Sequence, residues 1–143
     1  MKTSKTLMLA VLFAAPFAAF ANPVKISNED VSALFGALSQ IKDGLSYANV
    51  QAASEDIWVL KATAEAFSQN QNHAARDLER ASKEKDANPA TDAVQKKWDD
   101  YRVSEVTLDL QPMTPLTEQE VKDSKITPAL LAPIQHYLYP AKK

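Results

Sequence analysis

The feature that most constrains the fold is a stretch of about 33 residues, Ser54 to Asp86, that contains neither glycine nor proline. These two residues weaken or end helices, so their absence permits a single long helix. Apolar side chains recur along its first half at spacings of three and four residues, which places them on one helical face. They are Ile57, Leu60, Ala64 and Phe67. The pattern predicts a long amphipathic helix around which the other elements pack.

The two ends of this helix are predicted to differ. Ser54 is followed by Glu55 and Asp56, which is the pattern of a helix cap with an acidic first turn. Beyond Phe67 the apolar face weakens, because residues 68–72 include no large apolar side chain. We therefore expect the second half of the helix to be solvated or to contact only a thin layer of protein.

A shorter helix is predicted before the long one. Ser27 can cap its first turn, and Asp30 lies where the helix dipole favours negative charge. Gly44 is placed to end the helix in a left-handed conformation, which sets its bounds at about 28–43. Residues 45–53 are predicted to form a loop with some strand character, since their apolar positions fit either an alternating pattern or the approach to the long helix.

A third helix is predicted directly after the long one. Asn88 and Pro89 are typical of a helix cap and first turn, and the helix should span about 89–102. Its apolar face is spaced by four and three residues and consists of Val94, Trp98 and Tyr101. Because the connection is short, the two helices should pack as an antiparallel hairpin.

The hydrophobic period changes from 3.6 to 2 at residues 105–110, which predicts an amphipathic strand. Its apolar side chains are Val106, Leu108 and Leu110. A strand needs a neighbour for its backbone groups. Three candidates stay open: residues 24–26, residues 45–50, or the same strand in a second copy of the chain.

Two helical elements complete the pattern. Thr117 and Glu120 have the spacing of a capping box, and Thr127 with a following proline opens a last helix. Pro133 predicts an interruption or a kink in that helix. Together the patterns predict a mainly α fold, a helical hairpin or small helical bundle with a short β-strand or minimal β-hairpin.

The first 21 residues have the pattern of a signal peptide. Lys2 and Lys5 form a basic start, an apolar run extends from Leu7 to Phe20, and small residues precede the expected cleavage site after Ala21. The run is shorter than the roughly 20 residues that span a bilayer. We expect a bacterial periplasmic or secreted protein whose mature chain, residues 22–143, forms one α-rich domain without membrane insertion.

Composition excludes several functions. The chain has no cysteine, so disulfides, thiolate catalysis and a lipid-modified amino-terminal cysteine are excluded. Removal of Lys2 and Lys5 with the signal peptide leaves a net charge of about −4, which argues against nucleic acid as a partner. The 2 glycines leave little material for phosphate-binding loops.

The sequence shows no constellation of catalytic residues. His73 and Asp77 lie four residues apart on the long helix, but they lack a third strong ligand, and a surface role is the better interpretation. His136 has no serine or carboxylate near it in the sequence that would form a relay. The sequence therefore predicts a protein that is not an enzyme and that holds no metal or cofactor.

Two groups of aromatic residues are candidate binding sites. Trp58 lies off the apolar line of the long helix, so it either packs on the first helix or stays exposed as an anchor for a partner. A second group combines acids and rings and suggests contact with carbohydrate: Trp98, Asp99, Asp100 and Tyr101. On a helix the rings share a face and the acids point away from much of it, so core aromatics with a solvated acidic edge are favoured.

Three segments can be compared with a known group of proteins. They are Ala64 to Phe67, Val106 to Gln111 and Ile126 to Leu131, and an amphipathic helix precedes them. In this arrangement most of the mature chain resembles small unannotated helical proteins encoded in phage and prophage genomes. The resemblance implies a small helical fold and supplies no catalytic motif and no activity.

The sequence favours a non-enzymatic envelope protein that binds another protein, as an inhibitor, an immunity factor or an assembly accessory factor. The candidate contacts are Trp58 and the strand residues Val106, Leu108 and Leu110, since an unpaired strand can add to the edge of a partner's sheet. The alternative is a small envelope protein that acts on peptidoglycan or another carbohydrate through Trp98 and its neighbours. A homo-oligomer, paired through the strand and the long helix, also fits.

Overall fold

The computed structural model describes residues 22–41 and 43–140, and the predicted signal peptide lies outside them. Within this part of the chain the elements are, in order, β1 (Asn22–Ser27), α1 (Asn28–Ile41), α2 (Tyr47–Ala81), α3 (Ala87–Val103), β2 (Glu105–Leu110), α4 (Glu118–Asp123) and α5 (Pro128–Leu138). These elements confirm the predicted mainly α fold with minimal β-structure, which is a two-stranded antiparallel sheet.

The longest helix begins earlier than the sequence indicates. α2 starts at Tyr47 and not at Ser54, so the loop predicted over 45–53 was wrong for most of its length. Ala53 is fully buried in this first part of the helix, and burial of the inward face outweighs the weak local alternation. Ser54 is therefore an interior residue, whose hydroxyl donates to the Val50 carbonyl at 2.8 Å.

The core lies between α1, the first half of α2 and α5. Spacings of three and four residues give each helix one apolar face, and these faces meet. Fully buried side chains in this core are Val31, Leu34, Leu38 and Ile41 of α1, Leu60 of α2, and Ile134 and Leu138 of α5.

Side-chain caps define the starts of three helices as predicted. Ser27 accepts the backbone N–H of the third residue of α1 at 3.1 Å. Thr117 and Glu120 form a complete capping box on α4. Thr127 accepts a backbone N–H in the first turn of α5, and the helix continues through Pro133 to Leu138, so the predicted interruption is not observed.

The strand β2 finds its neighbour within the chain. β1 and β2 pair in antiparallel orientation, with Val24 opposite Leu108 and Ile26 opposite Val106. This pairing selects the first of the three predicted candidates. Ile26 is buried, so one face of the sheet covers the core.

α2 and α3 form the predicted antiparallel hairpin. α3 begins at Ala87, two residues before the predicted start, and α2 ends at Ala81. The structure describes all of α3, and no side chain in it is fully buried. The α2 residues beyond Phe67 are mostly exposed as well. We call residues 68–101 the hairpin arm; the exposure of its α2 part confirms the expectation drawn from the few large apolar side chains there.

Gly44 connects α1 to α2 in a conformation that favours glycine. Its φ angle is +111°, in the left-handed region predicted for the residue that ends the first helix. A Cβ atom at this position would lie 2.7 Å from Ser124 Oγ and 3.0 Å from the Ser124 backbone nitrogen. Both the backbone angle and the contact with Ser124 therefore oppose a side chain here.

The Gly44→Ala variant is expected to lower the free energy of unfolding by about 2 kcal/mol, because backbone strain of this kind costs about 1–3 kcal/mol. Gly36→Ala is the matched control, since Gly36 lies in α1 and no described atom comes within 4 Å of an added Cβ. Alanine there should be neutral or should stabilise the helix by up to about 1 kcal/mol. Urea unfolding followed by circular dichroism measures both changes, and equal effects would contradict this explanation.

Candidate interaction surface and helical groove

Two aromatic side chains of α2 are largely exposed to solvent. The exposed fraction is 79% for Trp58 and 85% for Tyr47. About three helical turns separate them, so they project from the same side of the helix. We call Tyr47 and Trp58 the aromatic face. Of the two alternatives for Trp58, the structure shows exposure and not packing on the first helix.

The exposure of Trp58 follows from the helical period. Leu60 is buried, and Ile57 packs partly buried against the same core. Trp58 falls outside the arc that these two residues define and therefore points away from the core. An indole ring that stays in water leaves a large apolar surface unburied, which makes Trp58 a candidate contact residue.

The strand side chains that were predicted to contact a partner lie against the core of this chain. Leu110 is buried, and Val106 and Leu108 are partly buried and pack on the core cluster. Pairing with β1 also occupies one edge of the strand. These three side chains therefore stabilise the fold of the chain itself.

The aromatic and acidic residues of α3 separate into two groups. Trp98 and Tyr101 pack on Phe67 of α2, with ring centroids 5.2 Å and 6.2 Å from the Phe67 ring. Asp99 accepts hydrogen bonds from Arg102 Nε at 2.8 Å and from a glutamine side chain, and these interactions lower the pKa of the Asp99 carboxyl. Asp100 pairs with a lysine one turn earlier. The rings thus join α3 to α2, and the two acids form ion pairs on the surface.

A groove of about 330 Å³ lies between α2 and α3 in the hairpin arm. Its inner surface is half-buried and mainly apolar, and it includes Trp98 and Tyr101. Its outer edge is exposed and polar, with Asn70, His73 and Asp77 contributed by α2. From the sequence, the aromatic residues of α3 and the polar residues of α2 were treated as two separate groups. The antiparallel register of the hairpin could have joined them, because residues equally far from the turn face each other.

The histidine and aspartate on the groove edge lie four residues apart on α2. Among the described residues, no three histidine, cysteine, aspartate or glutamate side chains come close enough to hold a metal ion. Asp77 lies 3.6 Å from the guanidinium of Arg80. His73 and Asp77 are thus polar groups at the edge of an aromatic groove.

A second polar site is buried beneath α2 and holds the segment that follows β2. Asn49, which is 1% exposed, accepts the Thr114 N–H and hydroxyl, each at 3.0 Å. Its amide donates to the Thr114 carbonyl at 3.2 Å and to Glu120 Oε1 at 3.3 Å. Two turns later on α2, Asp56 accepts the Gln111 N–H at 2.6 Å. We call Asn49 and Asp56 the polar clamp.

The pKa values of the two carboxyl groups at this site, Asp56 and Glu120, are shifted in opposite directions. Asp56 is 0% exposed, and burial raises its pKa from 3.8 to about 7, although the Gln111 N–H acts in the other direction. Its Oδ2 atom has no hydrogen-bond partner among the described residues. Backbone N–H groups of Thr117 and Ser46 lower the pKa of Glu120 to about 2. The clamp therefore contains a carboxyl group that binds a proton near neutral pH.

Comparisons of the chain with protein-family models, curated proteins and solved structures find no match. In residues 22–41 and 43–140, no helix combines the length and the apolar character needed to cross a membrane. The fold and its surface define a mainly α protein with an exposed aromatic face on α2 and a groove in its hairpin arm.

Proposed function

We propose that this protein is an exported, non-enzymatic protein of the bacterial envelope that binds another protein through the aromatic face. The observation that carries the proposal is the 79% exposed fraction of Trp58, with exposed Tyr47 about three turns earlier on the same side of α2. Tryptophan and tyrosine are enriched in the energetic centres of protein interfaces, where their large surfaces leave water. Export rests on the signal-peptide pattern of residues 1–21.

The surroundings of Trp58 suit an interface centre with a polar rim. Ser54 lies exposed one turn before it, and Lys61 and Glu65 form an exposed ion pair at 3.9 Å just after it. In non-obligate complexes, a polar and solvent-accessible rim commonly surrounds an apolar or aromatic centre of the interface. We propose a contact on α2 and not on the strand, and this choice is supported by the packing of Leu108 and its neighbours on the core. An inhibitor, an immunity factor or an assembly accessory factor would act in this way.

The Trp58→Ala variant is expected to lose at least about tenfold in affinity for the partner, which is the effect of removing an interface hot spot. The experiment is affinity capture of the tagged mature protein from its native envelope or culture medium. Mass spectrometry identifies the captured protein, and calorimetry compares the variants with it. Tyr47→Ala should weaken binding in the same direction, and neither change should alter thermal unfolding, since both side chains are exposed.

The matched control is Val103→Ala, which removes an exposed apolar side chain, 57% exposed, at the end of α3. It should leave binding unchanged. Full binding by a double variant at Tyr47 and Trp58 would contradict the proposal. Light scattering of the wild type and of Trp58→Ala tests the related case, in which the partner is a second copy of the chain.

A further inference from the structure

We propose that the groove of the hairpin arm binds a neutral sugar chain, with a pyranose ring stacked on Trp98 and its hydroxyl groups bonded to Asn70, His73 and Asp77. This site is independent of the proposed protein contact. The groove lies between the second half of α2 and α3, whereas the aromatic face lies on the first half of α2.

Trp98 provides an aromatic surface in this groove. Its ring is held by Phe67 at 5.2 Å and by Tyr101 at 5.9 Å between centroids, so it is braced by two other rings. It remains only half-buried and borders the groove. The face of an indole carries partial negative charge and attracts the weakly positive C–H groups on the face of a pyranose. Such stacking needs an accessible and supported ring, and Trp98 borders the groove while two other rings pack against it.

The polar edge supplies hydrogen-bonding groups in a row. Asn70, His73 and Asp77 are spaced by three and four residues on one face of α2, and the row is about 10 Å long, enough for more than one sugar ring. The Asn70 amide nitrogen already donates to the Ala66 carbonyl at 2.9 Å, which leaves the amide oxygen as an acceptor for a hydroxyl. Carboxylate, imidazole and amide groups together can both accept from and donate to hydroxyls.

Charge and size select the class of ligand. The lining carries one carboxylate, Asp77, and one ammonium group, Lys97. This balance offers no excess positive charge to a phosphate, so a neutral ligand is favoured over a nucleotide. The volume of about 330 Å³ lies at the small end of ligand sites, which suits one or two sugar rings and not a folded partner.

The carbohydrate site proposed here differs from the one that the sequence suggested, because its acid is Asp77 and not Asp99 or Asp100. Asp99 is bound to Arg102 and Asp100 to Lys96 on the surface, and neither acid lines this groove. The polar partners of Trp98 come instead from α2. Asp99 and Asp100 thus serve as controls for the acid on the groove edge.

The chain has 2 tryptophans, so a Trp58→Phe background leaves Trp98 as the only indole and makes its fluorescence a direct report on the groove. The tri-N-acetyl form of chitotriose, a neutral β-linked trisaccharide, is titrated into this mature protein up to about 10 mM, a range chosen for the weak binding expected of an open groove. The expected result is a saturable change in Trp98 emission. In the same background, Asp77→Ala and Asn70→Ala should each weaken binding at least fivefold, and Asp100→Asn should leave it unchanged.

Three outcomes would overturn the proposal. The first is the absence of a saturable change with this trisaccharide, and the second is an equal change with the same concentration of glycerol. The third is a change in Trp98 emission with protein concentration alone, which would assign the groove to a second copy of the chain. Circular dichroism confirms that each variant is folded. None of these outcomes bears on Trp58, so failure here leaves the proposed protein contact to its own test.

Discussion

Replacement of Asp56 by asparagine is expected to remove most of the dependence of stability on pH between pH 5 and pH 8. In the wild type, the free energy of unfolding should rise by about 2 kcal/mol as the pH falls over this range. The reason is that Asp56 binds a proton with a pKa of about 7 in the folded chain, against 3.8 in its ordinary environment. The folded state therefore holds more protons than the unfolded state between these values, and acidification favours it.

Urea unfolding at several pH values measures this effect directly. Asp92→Asn is the matched control, because Asp92 is exposed on α3 and its replacement should leave the pH dependence unchanged. The rise in stability on acidification should end near pH 4.5. Glu120, whose pKa is lowered to about 2, stabilises the fold above pH 4.5, and this stabilisation is lost as the pH falls toward 2. A wild-type slope that survives in Asp56→Asn would assign the pH dependence to other groups.

Removal of the Asn49 side chain should lower stability strongly at constant pH. Asn49→Ala is expected to lower the free energy of unfolding by about 3 kcal/mol, because it leaves the Thr114 N–H and carbonyl without their buried partner. The segment that joins β2 to α4 should loosen as well, which hydrogen exchange at the Thr114 amide can detect.

Asn70→Ala provides the comparison on the same helix. Asn70 is exposed and its side chain makes one hydrogen bond to the backbone of its own helix. Its removal should change stability by less than about 0.5 kcal/mol, since surface substitutions have small effects and alanine favours helices. Similar losses in the two variants would show that burial of Asn49 does not determine its contribution.

Local sequence patterns predicted most of the helical fold because they act over a few residues. Spacings of three and four residues placed Leu60 and Phe67 inward, and the Thr117 capping box involves partners that are neighbours in the chain. Gly44 was identified from its position after a helical pattern. Each of these features is decided by contacts within one or two helical turns.

The features that were missed depend on partners far away in the sequence. Asp56 was interpreted as part of an acidic first turn. That interpretation was wrong, because α2 starts at Tyr47 and Asp56 is a buried interior residue that accepts the Gln111 N–H. Asn49 lay in a segment predicted as a loop, although it is a buried helical residue bonded to Thr114. No local pattern indicates these contacts, since they require the position of the segment after β2.

The candidate sites were predicted only as separate residues. Trp58 was identified because it departs from the apolar spacing, but the choice between packing and exposure needed the position of α1. Trp98 was identified from its adjacency to two acids in the chain, whereas the polar edge of its groove comes from Asn70, His73 and Asp77 of α2. Proximity in sequence was thus a poor guide to the groove, and the register of the hairpin was a better one.

The pairing of β1 with β2 also sets an order of events when the chain is made. Asn28, the residue directly after β1, donates a side-chain hydrogen bond to Ser104 Oγ at a separation of 76 residues. A ribosome releases the amino-terminal end first, so β1 has no partner until synthesis has passed residue 110. The contacts between α2 and α3 are shorter in sequence and can form earlier. The sheet can therefore form only after α1, α2 and α3 have been synthesised, and β1 remains an unpaired strand during that time. α5 emerges last and completes the core.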